Sequence, residues 1–161
     1  MKKCLVFIGL ALLLSCSSID CPVNNIVETV YEIHDVDGEK LSLSDSLTVT
    51  STRKDGEEAI LLNNFSGKET FNLPISYSHP EDILVFHFHH ATIGVSVMDT
   101  VWLKKDDIPH FESVDCNTSF FHTLTDVRYT CNYIDSIVIK KTSVNYDNEE
   151  AHFYLYPKSS D

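Results

Sequence analysis

Turn signals recur every eight to twelve residues along this chain, and the runs between them alternate apolar and polar side chains. That spacing suits short β-strands and leaves no room for long helices. Val27, Thr29, Tyr31 and Ile33 fall on one face of the first run, with Glu28 and Glu32 on the other. Asp37-Gly38 and Asp55-Gly56 read as hairpin turns. Further runs cover Leu47 to Thr50, Ala59 to Leu62, Phe71 to Ile75, Ile83 to His90 and Val95 to Lys104. Pro109 then punctuates, and Phe120 to Tyr129, Ile134 to Lys140 and His152 to Tyr156 complete the set. Thr, Val, Ile, Tyr and Phe dominate, as a pleated, half-buried surface prefers. About eight to ten strands in roughly 140 residues predict an all-β, immunoglobulin-like β-sandwich, with a lipocalin-like up-and-down barrel as the alternative.

With 161 residues, 43% of them hydrophobic, the chain has the apolar material for one packed domain. Its 12 Lys and Arg stand against 24 Asp and Glu, a formal charge of −12. This excess repels phosphates, and no basic stripe offsets it, so nucleic acid is excluded as a partner.

The first residues read as an address. Lys2 and Lys3 precede an apolar core from Leu5 to Leu14, which is too short to span a bilayer and ends at Leu13, Leu14, Ser15 and Cys16. This layout resembles a bacterial lipoprotein signal, in which the Cys is acylated and the bond before it is cut. Residues 1–15 are then a cleaved signal peptide, 16–22 a lipidated Cys16 with a short tether, 23–157 a single β domain and 158–161 a frayed tail. Loss of Lys2 and Lys3 leaves 10 basic against 24 acidic residues, a mature side-chain charge of −14. Two or three acyl chains hold stably, so the membrane is a partner through the anchor, without being spanned. Ser17 follows Cys16, where an Asp would resemble an inner-membrane retention signal, and no acidic run resembles a surface-export signal. The expected location is the periplasmic face of the outer membrane.

Cys21, Cys116 and Cys131 remain for an oxidising compartment, allowing one bridge and one leftover thiol. Cys21 with Cys116 ties down the start of the domain; Cys116 with Cys131 is the alternative. Cys131 lies in a strand-like run, Arg128 to Tyr133, where it can serve as a small buried hydrophobe.

Several segments match together: Ile19 to Pro22 after the lipobox, Pro74 to Tyr77 before Pro80-Glu81-Asp82, and Pro109 to Cys116 before Phe120-Phe121-His122. Ile134 to Ile137 and His152 to Tyr156 follow in the same order. The pattern resembles a family of uncharacterised Bacteroidetes lipoproteins with a domain of unknown function. The resemblance favours the Cys21–Cys116 pairing and implies no activity, cofactor or catalytic residue.

Candidate chemistry is sparse. On a strand, His87 and His89 project from one face and Phe86 and Phe88 from the other, while His90 alternates away from His89. Two imidazoles supply half of a zinc site; the plainer reading is the wet face of a half-buried strand. His110, Glu112 and Asp115 cluster beside Cys116 and read as a corner that caps backbone groups. Asp35-Val36-Asp37-Gly38 lacks the remaining ligands of a calcium loop and reads as a turn. Trp102, Tyr129, Tyr154 and Tyr156 could form a sugar-stacking platform, although core packing explains them too. Asp45-Ser46-Leu47 resembles a Bacteroidetes O-glycosylation motif with Ser46 as acceptor, as do the triplets containing Thr100 and Ser136.

No nucleophile-and-base pair, phosphate loop or metalloprotease motif is present in the sequence. The expectation is therefore a non-enzymatic binding or assembly module without cofactor, contacting an outer-membrane β-barrel or another envelope protein. The alternative is a carrier or sensor for a small ligand, glycan or metal.

Overall fold

The computed structural model describes residues 21, 26–53, 55–90 and 92–158. The expected signal peptide, the expected lipidation site Cys16 and most of the expected tether lie outside the described residues. Ten strands follow in order: β1 (Glu28–Ile33), β2 (Ser46–Thr52), β3 (Glu58–Phe65), β4 (Thr70–Pro74), β5 (Glu81–His90), β6 (Val95–His110), β7 (Ser119–Tyr129), β8 (Ile134–Ile139), β9 (Ser143–Val144) and β10 (Phe153–Pro157). They form a four-stranded sheet, β4-β1-β10-β8, facing a six-stranded one, β3-β2-β5-β6-β7-β9. The larger sheet curls into a half-barrel. The expected all-β sandwich is thus observed. The up-and-down barrel is not: an up-and-down meander pairs every neighbour antiparallel, whereas β1 and β10 pair in parallel.

The alternation read from the sequence decides what is buried. Tyr31 and Ile33 of β1 are fully buried, while Glu28 and Glu32 sit on the outer face. Tyr31 stacks on Phe71 at 4.9 Å and Phe153 at 4.6 Å, and meets Phe86 of the opposite sheet edge-on at 6.0 Å. This aromatic cluster joins the sheets; rings so placed add ~0.5–1.5 kcal/mol per pair beyond burial. At Asp35–Gly38 the carboxylate of Asp35 accepts from the amides of Asp37 and Glu39, and Gly38 takes φ 83°. The segment is the expected turn.

Several boundaries differ from the sequence reading. β6 runs through Pro109 to His110 instead of stopping at Lys104. Lys105 N donates to Pro80 O and Leu124 N to Thr142 O, so the paired Lys105 and Leu124 point their amides away from each other. Pro109 pairs with Phe120 four residues further along the same alternation, so its missing N–H faces away from β7 and costs no ladder bond. Cys131 lies in the β7–β8 connection, exposed and free, rather than buried in a strand. Its neighbours turn there because Asp99 gathers their amides, as described below. The two-residue β9 pairs with β7 and is too short to have carried a periodic signal.

The bridge joins Cys21 to Cys116 with Cα atoms 5.5 Å apart. It fastens the residues preceding β1 to the β6–β7 loop, which caps an arm of β6 and β7 extending past the start of β5.

Candidate functional site

A cleft of about 500 Å³ opens at the end of the sandwich that carries Cys21 and the β6–β7 arm. One wall is the β2–β3 hairpin, with Ser51, Arg53, Ala59 and Leu61; the other is the β4–β5 connection from Pro74 to His79, and β5 forms the floor. Ile26, from the segment leading into β1, completes the rim. The lining is mainly apolar, and Ile26, Tyr77 and Ile83 each expose about half of their surface. Tyr77 is held by stacking on Phe120 of β7 at 4.9 Å. The volume falls within the ~300–1,000 Å³ that accommodates a small ligand.

Charge lies beneath the apolar surface. Asp82 is buried on the floor and accepts from Ser76 N at 3.0 Å. Burial raises its carboxyl above the ordinary range, against the pull of that amide and of the Lys105 ammonium. Lys105 is only 3% exposed; its Nζ donates to His79 O at 2.5 Å and to Asp107 Oδ1 at 3.3 Å. His122 Nδ1 donates to the same Asp107 oxygen at 2.7 Å, and burial holds this imidazole below its usual range despite that bond. The network locks the β4–β5 connection onto β6 and so fixes one wall of the cleft.

The sequence contained a signal for this network. Lys105 continues the odd-numbered inward series of Val101 and Leu103, a placement in which a charged residue needs partners. Asp99 belongs to the same series and is fully buried. Its Oδ1 accepts from Thr130 Oγ1 at 2.6 Å and Asn132 N at 2.8 Å. Its Oδ2 accepts from Tyr133 N at 2.7 Å and Ile134 N at 2.8 Å. Burial pushes its carboxyl up, but the four donors overcome that and hold it below the ordinary carboxylate range.

The other candidates are dispersed. His87 and His89 do share a face opposite Phe86 and Phe88. Their partners are hydroxyls, Thr50 Oγ1 at 3.3 Å and Ser96 Oγ at 3.0 Å, respectively. No group of three or more His, Cys, Asp or Glu among the described residues is placed to hold a metal ion. His90 turns to the other face, 3.6 Å from Asp45. His110 bonds Glu112 at 2.9 Å and stacks on Phe121 at 4.1 Å, while Asp115 is exposed in the following turn. The four aromatics make no single platform: Trp102 and Tyr129 lie on the large sheet, Tyr154 and Tyr156 on the small one. Ser46 opens β2 half-buried, and Thr100 and Ser136 lie half-buried within β6 and β8.

At the cleft, Ser78 Oγ and His79 Nδ1 approach to 2.9 Å, but they are neighbours in an exposed turn, and Ser78 Oγ is shared with Ser76 Oγ at 2.8 Å. No carboxylate orients His79 through a hydrogen bond among the described residues, so the pair lacks the support a nucleophile and base require. The arrangement is suited to binding.

Comparison with curated proteins and with solved structures returned no match. A family model matches residues 46–157, from the start of β2 to the end of β10, and leaves β1 outside. The chain belongs to the family of unknown function DUF6452.

Proposed function

We propose that this protein is a lipid-anchored, non-enzymatic binding module of the bacterial envelope that holds an apolar small ligand in the cleft between the β2–β3 hairpin and the β4–β5 connection. The cleft carries this reading. It offers apolar walls of ligand size, a rim polar enough to orient a headgroup through Arg53 and His79, and a wall fixed by buried charge. The lipobox ending at Cys16 supports acylation there and residence on the periplasmic face of the outer membrane.

Titration of the mature protein with a fluorescent long-chain fatty acid is expected to give saturable one-to-one binding. Ala59→Trp, which fills the cleft, and Ile83→Asp, which charges its floor, are each expected to abolish it. Absence of saturable binding to the unaltered protein overturns the proposal. Cys16→Ser is expected to abolish lipid labelling and release the domain from membranes; labelling that survives would exclude Cys16 as the acceptor.

A protein partner, such as an outer-membrane β-barrel or another envelope protein, is the second reading. Exposed Ile93 and Met98 at the β5–β6 hairpin favour it, because they lie at the end remote from Cys21. Photo-crosslinking from Ile93 in intact cells tests it: a specific envelope-protein adduct is expected.

A further inference from the structure

From Cys16 to Cys21 the chain spans at most ~18 Å. The disulfide adds a Cα–Cα step of 5.5 Å to Cys116. By contrast, β6 alone, with 16 residues, is about 50 Å long at ~3.3 Å per residue. A domain held at Cys16 therefore keeps its β6–β7 tip near the bilayer, while its β5–β6 hairpin is free to stand about the length of β6 away. The tip is apolar where it is most exposed: Val114 is completely exposed and Phe111 is 69% exposed. Ile108, on the arm behind them, is half exposed. The bridge at Cys116 restrains the loop, so these side chains face outward from a fixed support. Glu112 and Asp115 flank them and disfavour an anionic surface, which points to zwitterionic lipid.

We infer that the β6–β7 tip docks on the membrane, with Phe111 and Val114 entering the interface of a zwitterionic phospholipid leaflet. The inference rests on the reading of Cys16 as the lipid anchor. Docking adds a second attachment to the acyl chains and sets the domain upright, with the cleft at the membrane end.

The test places a single tryptophan at the tip. In a Trp102→Phe background, Val114→Trp and, separately, Val36→Trp in the distal turn are introduced into the full lipoprotein. Each is reconstituted in phosphatidylcholine and phosphatidylethanolamine vesicles containing phospholipids brominated on their acyl chains. Emission from position 114 is expected to blue-shift and be quenched, as immersion by ~5–10 Å requires, while emission from position 36 stays as in solution. Both positions that receive tryptophan are exposed, so neither new ring displaces a packed side chain, and the Trp102→Phe background is common to both variants. Mass spectrometry of the same samples reports lipid on Cys16. Lipid present with no quenching at position 114, or equal quenching at both positions, overturns the inference alone. Absence of lipid on Cys16 overturns the anchor and the inference together.

Discussion

Asp99→Asn changes one atom of a fully buried side chain and reverses half of its hydrogen bonding. The carboxylate receives two donors on each oxygen. An amide keeps one oxygen and turns an NH2 group toward two N–H or O–H donors that nothing else satisfies. Each lost bond to a charged acceptor is worth ~1.5–3 kcal/mol, so the loss is about 3–6 kcal/mol. That is a large share of the ~5–15 kcal/mol that holds a typical domain. Urea unfolding at pH 7, followed by the fluorescence of the single Trp102 on a soluble Cys16→Ser chain, reads this directly. The sign of the pH dependence is fixed by the donors, which hold the folded carboxyl below its ordinary range. Its stabilisation is complete above the unfolded value of ~3.9 and is lost as pH falls through the lower folded value. The two proteins should therefore converge in strong acid. A loss below ~1 kcal/mol at pH 7, within the range of ordinary substitutions, would refute the reasoning. So would a gap that does not close on acidification.

Lys105→Met should destabilise the domain by about 3–5 kcal/mol in thermal or urea melts, because it leaves Asp107 and the raised Asp82 without their cation. His122 and His152 are both held below the usual imidazole range, first by burial, so stability should fall as pH drops below the unfolded value of ~6.5. A melting temperature unchanged between pH 7 and 5 would contradict this. Cys116→Ser opens a loop with a sequence separation of 95. The chain-entropy model gives it a cost of up to about 4–5 kcal/mol, measurable by unfolding with and without reductant. Cys131 should react with a maleimide in the native protein while Cys21 and Cys116 do not, which peptide mapping would report.

Alternation made most of the sandwich legible, because burial on one face writes itself into every second residue, as in Tyr31 and Ile33 or Phe86 and Phe88. What stayed hidden depends on partners distant in sequence. Pro109 looked like a stop, since only the register with Phe120 reveals which way its nitrogen faces. Cys131 read as strand because the four donors that bend the segment after β7 converge on Asp99, more than thirty residues earlier. Lys105 lies one residue past the run that ends at Lys104, and although its acceptor Asp107 is only two residues away, the other, His79, comes from the β4–β5 connection. The cleft left no trace at all in local pattern, since its walls belong to the β2–β3 hairpin and the β4–β5 connection, which only folding brings together.

The parallel pairing of β1 with β10 sets the order in which the sandwich can close as the chain is made. β1 is synthesised early and β10 more than a hundred residues later, yet they are neighbours at the centre of the small sheet. Until Phe153 arrives beside Tyr31, the aromatic cluster that joins the sheets lacks one of its stacked rings, and His152 cannot accept the amide of Val30. Contacts of such long separation close late. The growing polypeptide thus stays open until β10 is made, and the folded state is sealed by that strand.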